Sequence, residues 1–175
     1  LPTGDAMAKE GSAFKGCLYF GLMLTPNDPK VIEYNCRFGD PETQVVLPML
    51  ETDFVDIIKA IHAGTLNQLD IQWKKGCVAC VIMASGGYPK KYATGLPISG
   101  LNEKGQLDSA FVYHAGTRYE NGTFLTAGGR VLGVTVAGDT LQQALDGAYA
   151  AVEQIRFEGA HYRKDIGQRA LACGK

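Results

Sequence analysis

Glu33, Asn35 and Arg37 alternate along the segment Glu33-Tyr34-Asn35-Cys36-Arg37-Phe38-Gly39-Asp40-Pro41-Glu42-Thr43-Gln44. On a β-strand, residues two apart point to one face. Glu33 and Asn35 therefore bring a carboxylate and an amide oxygen together as a hard-oxygen half-site suited to magnesium. Arg37 continues the alternation and sets a planar, two-pronged cation beside that half-site, an arrangement that holds a carboxylate or a transferring phosphoryl group. Downstream, Asp40 has N-cap chemistry, Pro41 suits the first helical position and Glu42 complements the helix dipole, so a helix is expected to begin at Pro41. A half-polar strand facing solvent could use the same residue types. The unbroken run from an apolar strand into a Glu-Asn-Arg ladder and a capped helix favours the functional reading.

Two glycine-rich turns, Ser85-Gly86-Gly87-Tyr88-Pro89 and Gly128-Gly129-Arg130, each follow a predicted strand. Successive backbone N–H groups in such turns can cradle a phosphate, and Arg130 beside Gly129 suits a phosphomonoester, although a tight loop needing positive φ accounts for either turn from pattern alone. Cys77-Val-Ala-Cys80 has the spacing of half a zinc site. On a strand, however, residues three apart point to opposite faces, and no second Cys or His pair lies near, so both read as core thiols. Asn121-Gly122-Thr123 fits a hairpin tip, and His62, His114 and His161 lack partners at nucleophile–base spacing and read as structural.

The elements that must position these residues follow from the flanking pattern. Leu18-Tyr19-Phe20-Gly21-Leu22-Met23-Leu24, the turn Thr25-Pro26-Asn27-Asp28-Pro29 and Lys30-Val31-Ile32-Glu33-Tyr34-Asn35 predict a β-hairpin. Its first strand is apolar on both faces and is expected inside a sheet covered on both sides. Pro48 should interrupt the helix begun at Pro41. A second helix fits Asp53 to Ala63, with Phe54, Ile57, Ile58 and Ile61 on one face and Gly64 as the stop. Both helices are expected to pack on the hairpin. Beyond a polar connector the chain turns to short strands, expected at Cys77 to Ala84, Ser109 to Gly116, Thr123 to Ala127 and Arg130 to Ala137. A helix should follow from Leu141 to about Ile155, opened by a capping box of Thr140 and Gln143.

The chain has 175 residues, and 17 Lys and Arg balance 18 Asp and Glu, so no long-range field draws it to nucleic acid or to a membrane surface. Its 46% hydrophobic content can bury a real core. Five cysteines form an odd, scattered set, which points to reduced thiols and a cytoplasmic setting. No apolar run approaches the ~20 residues needed to span a bilayer. The lack of an initiating Met raises the expectation that position 1 is a cut end.

The run Lys30-Val-Ile-Glu-Tyr-Asn-Cys-Arg-Phe-Gly-Asp-Pro-Glu-Thr-Gln44 resembles the metal-strand signature of the phosphoribosylamine-glycine ligase family, with Tyr34 where Phe is usual. Leu18-Tyr-Phe-Gly-Leu-Met23, Met83-Ala-Ser-Gly-Gly-Tyr-Pro89, His114-Ala-Gly-Thr117, Gly128-Gly-Arg-Val-Leu-Gly-Val-Thr135 and Tyr162-Arg-Lys-Asp-Ile-Gly167 resemble further blocks of that family in the same order. The resemblance implies an ATP-grasp ligase of purine biosynthesis, in which ATP phosphorylates glycine and the amine of 5-phosphoribosylamine attacks the resulting glycyl phosphate. It implies Glu33 and Asn35 as ligands of Mg2+, or Mn2+, bridging the ATP phosphates, and Arg37 as the group that neutralises the acyl phosphate. Asp40 and Glu42 would line the glycine or ribosylamine site, and Gly129 with Arg130 would hold the ribose phosphate.

The blocks match only the C-terminal portion of the family. The nucleotide-covering lysines and adenine-binding segment would lie in upstream ligase domains of the same polypeptide. The expected fold is α+β: residues 1–64 complete an ATP-grasp core of antiparallel sheet and helices, 65–72 connect, and 73–175 form a small β-rich domain with one main helix. Alternative readings are a non-catalytic binding or structural module, and an ATP-grasp ligase for another carboxylate.

Overall fold

The computed structural model describes residues 2–173, a mixed α+β chain of two compact units. Leu1–Thr43 with Leu50–Lys74 form the first unit, and Gln44–Met49 with Lys75–Lys175 the second.

In the first unit, helix α1 (Pro2–Lys9) precedes a two-stranded antiparallel hairpin, β1 (Tyr19–Leu24) and β2 (Pro29–Asn35). Its turn is closed by Thr25, whose hydroxyl donates to the Asp28 carbonyl at 2.6 Å. The register pairs Leu24 with Pro29 and Leu22 with Val31, then slips so that Gly21 faces Glu33 and Tyr19 faces Asn35. Ile32 is the extra residue of this bulge, and the slip decides which side chains share a face.

The expectation that β1 is covered on both sides is not met within this chain. Leu22 is 51%, Met23 54% and Leu24 81% exposed, as are Val31 and Ile32 by about half or more, so the helices do not bury the hairpin as expected. The physical reason is that a two-stranded sheet carries no neighbouring strands of its own to shield it.

Helix α2 (Thr43–Val46) begins later than the predicted start at Pro41. Asp40 to Glu42 form a turn that the Thr43 N–H closes onto the Gly39 carbonyl at 3.0 Å, with the Thr43 hydroxyl donating to the same oxygen. At Pro48, which has no N–H to donate, the helix tightens into the 3-10 turn Leu47–Met49. Helix α3 (Phe54–Ala63) has the predicted caps: the Asp53 carboxylate accepts from Val55 N–H at 2.7 Å, and Gly64 ends it at φ 73°. A 3-10 turn at Leu66–Gln68 and an antiparallel bridge between Leu50 and Trp73 complete the first unit, whereas Gln44–Met49, with most of α2 and the 3-10 turn after it, group with the second.

In the second unit, β3 (Cys77–Ala84), β8 (Arg130–Gly138) and β5 (Phe111–His114) form one antiparallel sheet in the order β3-β8-β5. A smaller sheet runs β4-β7-β6, from Pro97–Ile98, Thr123–Thr126 and Thr117–Glu120. The β6–β7 hairpin turns at Asn121 and Gly122, with φ 50° and 80°, the two positive angles that a right-twisted hairpin demands. Helix α4 (Leu141–Val152) lies on β8 and β3, and Leu145, Ala148 and Val152 join Val81, Met83, Leu132 and Val134 in the core. A short α5 (Gln168–Cys173) follows. Helix α4 stops short of the predicted Ile155 because the Gln154 and Ile155 amides bond three residues back, to Ala151 and Val152, tightening the last turn. Ile155 is nevertheless buried.

Both halves of the predicted capping box are present, each at 3.2 Å: Gln143 N–H to Thr140 Oγ1, and Thr140 N–H to Gln143 Oε1. Thr140→Ala is expected to cost about 1 kcal/mol of stability, read as a lower urea midpoint at unchanged slope. Among the described residues, no helix is long and apolar enough to cross a membrane.

Candidate functional site

Across an antiparallel pair, opposed residues present their side chains on the same face, so Tyr19, Gly21, Glu33 and Asn35 share one face of the hairpin. Phe20 and Tyr34 take the other face, their rings packed edge to face at 5.0 Å. The Asn35 side-chain N–H donates to Glu33 Oε1 at 3.0 Å, so the two predicted ligand residues are brought together. The amide nitrogen being engaged, the pair's further donors are oxygens, the hard set that a magnesium-like cation prefers. Gly21 makes room for this: a Cβ there would come within 2.9 Å of Glu33 Cγ. Among the described residues no group of three or more His, Cys, Asp or Glu is arranged to hold a metal; Glu33 and Asn35 together fit part of a hard cation's oxygen shell.

Arg37 does not extend the ladder. Strand β2 ends at Asn35, Cys36 and Arg37 form a bend, and Phe38 packs its ring on Phe54 of α3 at 5.8 Å. The guanidinium donates from Nη1 to the Phe38 carbonyl at 2.8 Å. With Lys15, Phe54, Ile57, Ile61 and His62 it lines a cleft of about 380 Å³. Lys15 Nζ donates to the His62 carbonyl at 3.2 Å. Thus Arg37 sits past the end of the strand that carries Glu33 and Asn35, on a largely apolar cleft.

Asp40 is exposed on the following turn. Glu42 folds back so that its carboxylate meets the backbone of buried Gly39, where a Cβ would collide with it. The Tyr19 ring approaches the same place, with Cε1 3.2 Å from where that Cβ would stand. Burial first, then the neighbouring Glu42 carboxylate and the Glu33 charge, push the Tyr19 phenol above its usual range. Sequence reasoning assigned Tyr19 to the apolar strand and missed it. The usable signal was its hydroxyl, at a position opposite Asn35 once the bulge is counted.

Gly129 and Arg130 lie in the second unit, where the two glycine-rich turns are stitched together. Ser85 N–H donates to the Gly129 carbonyl and Ser85 Oγ to the Gly128 carbonyl, each at 2.8 Å. The Tyr88 ring rests on the Cα of Gly129, where no side chain would fit. Arg130 opens β8 opposite Ala84. His114 is held at both ring nitrogens, by Thr117 Oγ1 and the Gly105 carbonyl, each at 2.8 Å. Cys77 and Cys80 are half-buried on β3.

Residues 78–169 match the phosphoribosylglycinamide synthetase C domain, and residues 1–43 match the ATP-grasp (A) domain of the same family. The chain is 51% identical over 165 residues to a phosphoribosylamine–glycine ligase of Caldanaerobacter subterraneus subsp. tengcongensis, covering 94% of this chain and 39% of that protein. It is 47% identical over 171 residues to the human trifunctional purine biosynthetic protein adenosine-3, covering 97% of this chain and 17% of that one. A crystal structure of phosphoribosylamine–glycine ligase from Thermotoga maritima superposes with a TM-score of 0.77 at 35% identity, over 91% of this chain and 39% of that one. The chain therefore spans about two fifths of the length of these bacterial relatives.

Proposed function

Because this chain belongs to the phosphoribosylglycinamide synthetase family, we propose that it is the C-terminal portion of a cytoplasmic ligase that joins glycine to 5-phosphoribosylamine at the expense of ATP. A glycine carboxylate oxygen attacks the γ-phosphorus and ADP leaves. The amine nitrogen then attacks the acyl carbon of glycyl phosphate, inorganic phosphate leaves, and the nitrogen loses a proton to give glycinamide ribonucleotide. The observation that carries this reading is the Glu33–Asn35 oxygen pair on one strand face, just before Arg37, inside the segment that matches the ATP-grasp domain.

In this reading Glu33 and Asn35 hold Mg2+, with Mn2+ as an alternative. When bound, the ion supplies charge neutralisation for the nucleotide phosphates. Arg37 offers its fork to the glycine carboxylate and then to the phosphoryl oxygens of the acyl phosphate that replaces it, each of which can take paired N–H donors. Asp40 and Glu42 face the amine-bearing substrates. Arg130 and the Gly128–Gly129 backbone hold the ribose phosphate. ATP is gripped with help from upstream ligase domains of the same polypeptide, so the isolated chain is expected to be inactive.

The test is ADP release by a polypeptide that joins the upstream ligase domains to this chain. Release should require glycine and 5-phosphoribosylamine together. Equal turnover with another amino acid in place of glycine would replace the substrate assignment, and absence of any amine-dependent ADP release would overturn the ligase reading.

A further inference from the structure

We infer that Asn121–Gly122, at the tip of the β6–β7 hairpin, is a site of spontaneous covalent modification: the Asn121 amide is lost as ammonia through a cyclic imide, and the isoaspartate formed on hydrolysis uncouples β6 from β7. The Gly122 nitrogen gives up its proton and bonds to Asn121 Cγ, the Cγ–Nδ2 bond breaks, and ammonia leaves with that proton. One water then opens the ring. Cleavage of the new Cγ–N bond leaves aspartate, whereas cleavage of the original bond from the Asn121 carbonyl carbon to nitrogen leaves isoaspartate, with the main chain rerouted through the former side chain. Water is the only co-reactant.

Attack by a main-chain nitrogen is hindered chiefly by the side chain of the residue that carries it, and Gly122 has none. Both residues are exposed, and nothing lies within 4 Å of where a Cβ on Gly122 would stand. Glu120 pairs with Thr123, so the tip is a two-residue turn, and an exposed tip of this kind opens locally at low cost and lets the side chain reach the Gly122 nitrogen. The other asparagines precede residues that carry a Cβ: Asp28, Cys36, Gln68 and Glu103. Two of them are engaged besides, Asn35 with Glu33 and Asn102 with the amides of Lys104 and Gln106, each at 3.0 Å. Asp146–Gly147 has the spacing for the analogous aspartate reaction, but it lies within α4, where a Cβ on Gly147 would come within 2.8 Å of Val136.

The consequence follows from the topology. Strand β6 is the edge of its sheet and is joined to it through β7 alone. Its register, from Thr117 opposite Thr126 to Glu120 opposite Thr123, is set by the two-residue turn with its positive angles. Isoaspartate inserts a methylene into the main chain at that turn, so the closing pair no longer meets. Aspartate keeps the turn and adds a charge beside the Arg118–Glu120 ion pair. Loss of β6 reaches the neighbouring loop, because Thr117 Oγ1 meets His114 Nδ1 and the other nitrogen of that ring meets the Gly105 carbonyl, each at 2.8 Å.

The test is to age the folded full chain in mildly alkaline buffer and to map the products by peptide mass spectrometry, with methyl transfer to isoaspartyl carboxylates as a second readout. The mass shift of an amide-to-acid exchange should appear first and most strongly at Asn121, with isoaspartate exceeding aspartate there. Asn121→Gly keeps a residue that tolerates positive φ and removes the reactive amide, so it should fold as the parent does and lose the methyl acceptance gained on ageing. Hydrogen exchange should then show loss of amide protection across Thr117–Glu120 in the isoaspartyl form, whereas Asn121→Asp, which mimics the other product, should keep that protection. Conversion of a short peptide spanning the turn under conditions that leave Asn121 of the folded chain intact would overturn the inference. So would equal conversion at Asn27 or Asn67, undiminished methyl acceptance in Asn121→Gly, or unchanged protection of β6 in the isoaspartyl form.

Discussion

Glu33→Gln is expected to lower turnover by about two to three orders of magnitude or more while leaving the fold intact, because charge held at the transferring phosphate contributes most in the transition state. The substitution is nearly isosteric and removes one negative charge from a cation's ligand set. Stability should barely respond: Glu33 is exposed on β2, and a glutamine oxygen can still accept from the Asn35 amide. Far-UV circular dichroism and the urea midpoint should match the parent, whereas turnover at limiting magnesium should fall furthest. Parent-like turnover under limiting magnesium would remove Glu33 from the metal site.

Arg37→Lys should cost about two orders of magnitude in kcat/KM, although the charge is kept. An ammonium cannot make the paired, coplanar hydrogen bonds by which a guanidinium grips a carboxylate or acyl phosphate. Its position sharpens the expectation. Arg37 stands beyond the strand end, donates once to the Phe38 carbonyl and lines a cleft with Phe54, Ile57 and Ile61 of α3. A lysine that reached the same cleft would retain long-range attraction and lose orientation, so kcat should suffer more than substrate affinity. A rate indistinguishable from the parent would show Arg37 to be an ordinary surface cation.

The parts of the fold legible in the sequence are those set by local chemistry. Asp53 and Gly64 delimit α3, Thr140 and Gln143 open α4, and Asn121-Gly122 makes the β6–β7 turn, because each depends on hydrogen bonds or backbone angles within a few residues. Strand β3 was legible from end to end as a buried apolar run. Strands β4 and β6 were not: Pro97–Ile98 is too short to carry a pattern, and Thr117–Glu120 has little apolar alternation and owes its place to pairing with β7.

Within the candidate site, the same-face relation of Glu33 and Asn35 follows from the two-residue period alone. Their relation to the facing strand does not. Continued from Leu24 opposite Pro29 without a bulge, the register would set Glu33 against Phe20. The slip at Gly21/Leu22 sets it against Gly21 and brings Tyr19 to Asn35. Nothing local in the Val31-Ile32 run announces that extra residue, so the placing of Tyr19 on the Glu33–Asn35 face was invisible from sequence. Arg37 shows the opposite failure. Alternation predicted it on the ladder, but the chain bends as soon as the strand ends and Phe38 packs on Phe54.

Whether Glu33 and Asn35 hold the divalent ion at the nucleotide phosphates can be read from an anomalous difference map. The crystals would contain the complete ligase polypeptide with Mn2+ and a non-hydrolysable ATP analogue. An anomalous peak is expected within bonding distance of a Glu33 carboxylate oxygen and the Asn35 amide oxygen, beside the nucleotide phosphates. A nucleotide-associated manganese peak bound elsewhere, with Glu33 and Asn35 making no contact to it, would contradict the account.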